Sequence, residues 1–126
     1  MSQVLVDTSV WVAHFRQRDA ALVNLLQSDR VLMHPMVLGE LACGTPSNRQ
    51  QTLANLALLQ QTQTASLQEV VNFVEQEKLF GLGCGLVDMV LLASTLITPG
   101  AQLWSWDKRL AALAQQYGVV YQPGLH

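Results

Sequence analysis

Four acidic residues of this 126-residue sequence occupy positions where a carboxylate is unexpected. They interrupt or end apolar stretches of the chain, and they are Asp7, Glu40, Asp88 and Asp107. Asp and Glu are rarely buried without a compensating partner, because removing an ionised carboxylate from water is costly. Carboxylates that are brought together also repel one another. We therefore predict that the four share a bound cation, and an oxygen-only set of ligands favours Mg²⁺ or Mn²⁺.

Each of these carboxylates also has an ordinary structural explanation. Asp7 and Asp107 each lie between a predicted strand and a predicted helix, where Asp is a favoured helix N-cap. Glu40 could extend past its apolar helical neighbours to solvent, and Asp88 could interact with the dipole at a helix start. A shared metal site explains all four positions together.

Hydroxyl groups flank two of the four acids. Thr8 and Ser9 follow Asp7, and Ser105 precedes Asp107 by two residues, so that on a strand the two side chains point the same way. We expect these hydroxyls to orient the carboxylates or to bind metal-bound water. Ordinary capping and turn hydrogen bonds are the alternative.

Two basic residues follow the last of the four acids. Lys108 and Arg109 come directly after Asp107 and are candidate contacts to phosphate groups, with simple surface charges as the alternative. The formal net charge of −2 gives the chain no overall basic surface for nucleic acid, so any such binding depends on local cations.

The histidines and cysteines indicate no second metal centre. His14, His34 and His126 are not paired with a second His or Cys at the spacing typical of zinc sites. A structural role is favoured for His34, with an approach to Glu40 as the alternative. The two cysteines lie far apart in apolar surroundings and are interpreted as inert buried thiols; they are Cys43 and Cys84.

Short strands alternate with helices along the sequence. Strands are predicted at 3–6, 30–33, 63–65, 101–106 and 119–121. Helices are predicted at 8–17, after Asp19, from Pro35 to Cys43, from about 49 to 61, from Ser66, at 86–97 and at 107–117. This alternation predicts an α/β domain with a largely parallel sheet. Ligand sites in such sheets form beyond the carboxyl ends of strands, which is where Asp7 and Asp107 are expected.

The composition predicts a single domain over residues 1–126 that has a protein partner. Half of the residues are hydrophobic and 13% are charged, whereas about a quarter are charged in typical domains. Such a chain is expected to expose an apolar patch, which usually marks an interface. We therefore predict a homodimer, a bound partner protein, or both.

No targeting or membrane segment is predicted. The N-terminal residues lack a basic stretch followed by a long apolar one, and the longest apolar run, at 86–97, is interrupted by Asp88. That run is also too short to span a bilayer. The expected location is the cytoplasm.

The order of these motifs resembles the PIN domain family, and within it the VapC-type toxin ribonucleases of bacterial toxin–antitoxin pairs. The motifs are Val6-Asp7-Thr8-Ser9-Val10-Trp11, Gly39-Glu40-Leu41, Leu86-Val87-Asp88-Met89-Val90-Leu91-Leu92-Ala93 and Ser105-Trp106-Asp107. The likeness covers essentially the whole sequence. One departure is that Lys108 and Arg109 follow Asp107 where many relatives carry an additional acid.

The resemblance implies a three-layer fold with a central parallel sheet of five strands in the order 3-2-1-4-5, flanked by helices. It implies endonucleolytic cleavage of RNA that depends on Mg²⁺ or Mn²⁺, with tRNA or another structured RNA as the substrate, and a cognate antitoxin protein as the partner. The implied catalytic and metal-binding residues are Asp7, Glu40, Asp88 and Asp107, with Asp7 and Asp88 as the direct ligands.

Two other functions are compatible with the sequence. A PIN-like module could bind RNA or a protein partner without turning over. A phosphotransfer or receiver domain needs an acidic cluster after its first strand, whereas here Asp7 stands alone.

Apolar residues on the early helices are expected to form a groove for an antitoxin segment, with core packing as the alternative for each. They are Trp11, Phe15, Leu22, Leu26 and Leu53.

Overall fold

A central sheet of parallel strands organises the computed structural model, which describes residues 2–124. Within these residues four strands are formed: β1 (Gln3–Val6), β2 (Val31–Met33), β3 (Gln60–Gln61) and β4 (Ala101–Trp104). They are adjacent in the order β3-β2-β1-β4, and each pairing is parallel. Pairing between β1 and β4 runs from Gln3 opposite Ala101 to Val6 opposite Trp104. The carboxyl ends of these two strands therefore lie side by side.

The helices fill the connections between the strands and follow the last one. Within residues 2–124 they are α1 (Thr8–Arg16), α2 (Ala20–Gln27), α3 (Pro35–Ala42), α4 (Arg49–Ala57), α5 (Leu67–Gln76), α6 (Leu86–Leu96) and α7 (Lys108–Gln116). The predicted alternation of strands and helices is thus confirmed. None of these helices is long and apolar enough to cross a bilayer.

The prediction of five strands was wrong for the described part of the chain. At 119–121 a single parallel bridge joins Val120 to Leu103 at the outer edge of β4. The Leu103 N–H donates to the Val119 carbonyl at 2.7 Å, and the Tyr121 N–H donates to the Leu103 carbonyl at 2.9 Å. Longer pairing is prevented because Gly118 turns the chain with a φ of +73° just before the segment, and Pro123 after it lacks an N–H group. The order of the four strands that do form agrees with the predicted 3-2-1-4.

The third strand lies earlier in the sequence than predicted. Residues 63–65 were expected to pair with the sheet, but their backbone is bound by side chains of the helix α6 and of the residues that follow it. The Ala65 N–H donates to Ser94 Oγ at 3.1 Å, and the Gln63 N–H donates to Thr98 Oγ1 at 3.0 Å. These hydroxyls replace the partners that a neighbouring strand would supply.

The hydrophobic core lies on both faces of the sheet. Val4, Leu5 and Val6 are fully buried, as expected for a parallel strand covered by helices on either side. Trp11 on α1 and Trp104 on β4 are buried almost completely. Burial of each aliphatic side chain of β1 stabilises the fold by roughly 1.5–3 kcal/mol.

His34 has a structural role. It is the N-cap of α3, and its Nδ1 accepts the Met36 N–H at 3.0 Å, which places the ring proton on Nε2. That Nε2–H faces Ser94 Oγ at 3.1 Å. Burial lowers the pKa of His34, so the neutral ring that this arrangement needs is favoured. His34 thereby ties β2 and α3 to α6.

The two cysteines are free but not buried. Cys43 is exposed and Cys84 is half-buried, so the interpretation of both as buried thiols was wrong. Cys43 follows α3 on its solvent side, and Cys84 belongs to the loop that precedes α6. His126 lies outside the described residues.

Candidate active site

The four carboxylates of the sequence come from the edge of the sheet and from two helices beside it. Asp7 directly follows β1, and Asp107 follows the neighbouring β4 by three residues. The Asp7 N–H donates to the Trp104 carbonyl at 2.9 Å, which continues the β1–β4 pairing to the edge. Asp88 is the third residue of α6, and Glu40 lies in α3.

The charges of these carboxylates act on one another. The pKa of Asp88 is raised above its ordinary value, first because the side chain is partly buried and then because of the negative charges on Asp7, Asp107 and Glu40. A hydrogen bond from the Gly85 N–H partly opposes this rise. The fold therefore places Asp7, Glu40 and Asp107 near enough to Asp88 for their charges to act on it.

Asp7 is the buried member of the set, with 6% of its surface exposed. Its Oδ1 accepts the Thr8 N–H at 2.8 Å, so it caps α1 as one interpretation predicted. Its Oδ2 accepts hydrogen bonds from Ser9 Oγ at 2.8 Å and Ser105 Oγ at 2.7 Å. Three donors compensate the burial of this carboxylate and fix its orientation.

The hydroxyls of Ser9 and Ser105 tie the two strand ends together. Besides donating to Asp7, Ser9 Oγ accepts the Trp106 N–H at 3.0 Å, and Ser105 Oγ accepts the Asp107 N–H at 2.9 Å. The two hydroxyl oxygens are 3.5 Å apart. This network orients the Asp7 carboxylate and fixes the backbone of Trp106 and Asp107.

Thr8 orients the carboxylate of Glu40. Its Oγ1 donates to Glu40 Oε1 at 2.6 Å and so links the first turn of α1 to α3. Glu40 is exposed, which agrees with the alternative that its side chain extends past its apolar helical neighbours to solvent. Glu40 is nevertheless held close to the edge of the sheet.

Asp107 caps α7 and is exposed. Its Oδ1 accepts the backbone N–H groups of Arg109 at 2.9 Å and Leu110 at 3.1 Å. The premise of an uncompensated buried carboxylate was therefore wrong for Asp107 as well as for Glu40. A capping side chain at the start of a surface helix remains in contact with water.

Three of the four carboxylates keep an oxygen that receives no hydrogen bond from residues 2–124. Glu40 accepts from Thr8, Asp88 accepts from Gly85 and Asp107 accepts from the first turn of α7, each with one oxygen. The remaining oxygens are Glu40 Oε2, Asp88 Oδ1 and Asp107 Oδ2. These oxygens are available to water, to a cation or to a substrate hydrogen.

Comparison with known proteins shows the family of this site. Residues 4–116 match the model of the PIN domain. The chain belongs to the PIN domain family. It is 45% identical over 116 residues to "Ribonuclease VapC32" of Mycobacterium tuberculosis strain CDC 1551 / Oshkosh, and the alignment covers 92% of this chain and 94% of the relative. The same figures hold for "Ribonuclease VapC32" of strain ATCC 25618 / H37Rv. The predicted resemblance to VapC-type proteins is confirmed.

The carboxylates of this PIN domain do not form a compact metal cage. Within residues 2–124, no group of three or more His, Cys, Asp and Glu side chains is gathered tightly enough to enclose an ion. The donor set is still that of a hard cation, because it offers carboxylate oxygens alone. Mg²⁺ commonly keeps several waters and binds through one or two carboxylates, and an open arrangement of this kind fits that habit.

The two basic residues after Asp107 point to different places. Arg109 packs along the loop before α6, where its Nη1 donates to the Gly83 carbonyl at 3.4 Å. Gly83 has a φ of +87°, and a Cβ there would lie 2.6 Å from Arg109 Nη1. Lys108 is exposed and lines a different groove, together with Trp106. Of the pair, Arg109 is the one attached to the loop that leads to Asp88.

Cys84, which the sequence analysis interpreted only as an inert buried thiol, is a neighbour of the site. Its pKa is raised by partial burial and then by the charges of Asp88 and Asp107, while Arg109 lowers it. The thiol is therefore kept neutral beside the carboxylates. Its position one residue before Gly85 and four before Asp88 is the signal that could have placed it there.

Proposed function

We propose that this PIN domain is a Mg²⁺- or Mn²⁺-dependent endoribonuclease that acts in the cytoplasm as the toxin of a toxin–antitoxin pair. The observation that carries the proposal is the placement of Asp7, Glu40 and Asp107 around Asp88, whose pKa is raised first by partial burial and then by the charges of these three acids. The identity to "Ribonuclease VapC32" supports RNA as the substrate. That name also supports a cognate antitoxin as the partner.

Asp7 and Asp88 are the residues that would hold the ion most directly. Asp7 is rigidly oriented, and its Oδ1 carries a single hydrogen bond, which leaves a lone pair for a ligand. Asp88 gains most from a cation, since its ionised form is disfavoured by its surroundings. A bound divalent ion supplies an acidified water and polarises the phosphate.

Glu40 and Asp107 would complete the reaction site through their free oxygens. Each carboxylate is fixed at one oxygen and can accept a hydrogen bond from water at the other. That arrangement suits a group that orients the attacking water or takes its proton. Arg109 and Lys108 would contact phosphates on either side, with Arg109 the nearer to Asp88.

RNA cleavage that depends on a divalent ion is the direct test. The purified chain is expected to cut a structured RNA such as tRNA with Mg²⁺ or Mn²⁺, to stop when a chelator is added, and to resume when the ion is restored. Cleavage products are followed on denaturing gels. Equal cleavage by Asp88→Asn purified in the same way would identify a contaminating nuclease and refute the assignment.

A second function is favoured by the open arrangement of the acids, in which no three gather around one point within residues 2–124. A PIN-domain module of this kind would bind RNA or a protein without catalysing a reaction. It predicts retention of RNA by the chain in the presence of Mg²⁺ or Mn²⁺ with no product. The cleavage assay therefore separates the two functions.

A groove between α1 and α3 is the candidate seat of an antitoxin segment. It encloses about 340 Å³, and its lining includes the partly exposed Val12 and Phe15, the basic Arg16 and the site residue Glu40. A peptide bound there would reach the carboxylates. Co-purification of a small protein encoded beside this chain would support the proposal, and a partner that left Phe15 equally accessible would oppose it.

The residues expected to line such a groove are mostly elsewhere. Trp11 and Leu22 are buried in the core, and Leu26 and Leu53 are half-buried against it. Phe15 is the member of the expected set that is exposed. Core packing thus explains the other four, which pack against the core from α1, α2 and α4.

An apolar surface on α5, the loop after it and the start of α6 is the candidate homodimer interface. Its members are large exposed side chains, namely Leu67, Val71, Phe80, Leu82 and Leu86. Burying such a surface against a second copy would remove its contact with water. Val71→Asp is expected to convert a dimer into a monomer in sedimentation velocity, whereas Leu58→Asp, on an exposed residue outside this surface, is not. A wild-type chain that sediments as a monomer would overturn the proposal.

A further inference from the structure

Trp106 is a large aromatic side chain exposed beside the carboxylates. It lies between Ser105, which donates to Asp7, and Asp107, and half of its surface, 50%, is accessible to solvent. Half of this aromatic side chain is therefore accessible to a ligand that binds beside the carboxylates. The position is fixed by the site, since the Trp106 N–H donates to Ser9 Oγ at 3.0 Å.

The ring of Trp106 is held by a second indole. Its centroid lies 5.6 Å from that of Trp104 with an angle of 76° between the ring planes, so the two rings meet edge to face. Trp104 in turn packs on Tyr121 with centroids 5.4 Å apart. Trp104 is buried, so it gives Trp106 a rigid base, and a platform ordered in advance loses little entropy when it binds a ligand.

A groove of about 510 Å³ opens next to this platform. Trp106 and Lys108 are in its wall, with Tyr121 and Pro123 from the last described segment and the buried Trp104 behind them. The groove thus combines an aromatic face and a cation within the size range of small-ligand sites.

We propose that this groove binds an unpaired base of the RNA, stacked on Trp106, with the adjoining phosphate on Lys108. The proposal rests on the proposed function, because it names how that site holds its substrate. Bases of single-stranded RNA are commonly recognised by stacking on aromatic side chains. The groove begins at the residue before Asp107, so a base held there is next to the phosphate placed at the carboxylates.

The charge of the chain favours a contact with RNA that does not depend on cations. The sequence contains seven Lys and Arg residues and nine Asp and Glu residues. Neutralisation of phosphates therefore contributes little to the binding of RNA. Stacking does not depend on net charge. It is worth enough, per base, to change affinity by about 5- to 150-fold.

Oligonucleotide binding to Trp106 variants tests the proposal. The probe is a fluorescein-labelled single-stranded RNA of twelve nucleotides, measured by anisotropy with Asp88→Asn as the common background so that the RNA stays intact. Trp106→Ala is expected to weaken binding by about 5- to 150-fold with an unchanged salt slope, and Trp106→Phe to retain most of the affinity. Lys108→Ala is expected to lower the salt slope by about one charge.

The control is Leu58→Ala, which removes another exposed apolar side chain at a different surface and should bind like the background protein. Equal binding by Trp106→Ala, or a change of oligomeric state caused by it, would overturn the proposal; the latter would make the groove an interface between copies. Failure of the proposed function is distinguishable, since wild type would then bind the probe through Trp106 but leave RNA uncut with Mg²⁺ or Mn²⁺.

Discussion

Replacing Asp88 by Asn is expected to reduce RNA cleavage by at least about 100-fold, since loss of groups that only support a metal ligand already costs 10- to 100-fold. The same substitution is expected to raise the Tm of the metal-free chain at neutral pH. Activity and stability would therefore change in opposite directions, which is typical of a residue that serves the reaction and not the fold.

The expected gain in stability follows from the raised pKa of Asp88. The unfolded chain loses this proton near the ordinary value of 3.8, whereas the folded chain keeps it to higher pH. Between the two pKa values the folded state binds more protons, so the free energy of unfolding falls as pH rises through that window. Asn carries no charge and avoids this loss. Below pH 3.8 both side chains are neutral and the difference should vanish.

Thermal unfolding with and without Mg²⁺ or Mn²⁺ measures both parts of this prediction. The ion is expected to stabilise wild type, because a ligand that binds the folded state alone raises its stability, and to affect Asp88→Asn much less. Asp29→Asn is the matched control: Asp29 is exposed, and its positive φ of 54° is one that Asn tolerates. A destabilised Asp88→Asn that retained wild-type cleavage would contradict the assignment of Asp88.

Local sequence was sufficient for the elements that carry the site. The apolar run at 4–6 predicted β1, and Asp19 and Ser66 each cap the helix expected after them. Asp7 and Asp107 are the caps that one interpretation proposed, and capping is compatible with the role that each carboxylate has in the proposed function. A carboxylate has two oxygens, and a cap need occupy only one of them.

Structural features that depend on tertiary packing were predicted less well. The exposure of Glu40 is set by which side of α3 the neighbouring helices cover, and its own helical neighbours in the sequence do not reveal that. The backbone of 63–65 is bound by Ser94 and Thr98, some thirty residues further along. Pairing of residues 119–121 with β4 was limited by Gly118 before this segment and Pro123 after it. In each case a distant or flanking group decided between two locally acceptable structures.

The hydrogen bond between Asp7 and Ser105 likewise depends on tertiary structure. No local pattern joins residues 98 positions apart; the strand order implied by the family did so, by placing β1 beside β4. The surroundings of Trp106 also depend on tertiary structure, because its ring contacts Trp104, which packs on Tyr121 from a later segment. The groove beside it became visible only with Trp104 and Tyr121 in place.

Removing the hydroxyls that hold Asp7 should also impair the reaction, and the double variant should do so more than the two single variants combined. Ser9 and Ser105 both donate to Oδ2 of the buried Asp7 carboxylate. Either Ser→Ala change leaves that oxygen one donor, and we expect losses of about 10- to 100-fold in kcat/KM for each. Without both, a buried charged oxygen has no donor, which adds a penalty of about 1–3 kcal/mol. The side chain can then relieve this penalty only by rotating away from the site or by binding a proton, and either response removes its charge from the metal position.

The dependence of cleavage on Mg²⁺ or Mn²⁺ concentration distinguishes positioning of Asp7 from a general loss of structure. The ion concentration for half-maximal cleavage should rise in Ser9→Ala and Ser105→Ala and most in the double variant, while urea unfolding shows that the chains remain folded. Ser105→Thr, which keeps the hydroxyl, should recover most of the activity, and Ser28→Ala, at an exposed serine after α2, should match wild type. Losses that simply multiply, with an unchanged ion requirement, would mean that the serines act independently on the backbone of Trp106 and Asp107 and not through the shared carboxylate oxygen.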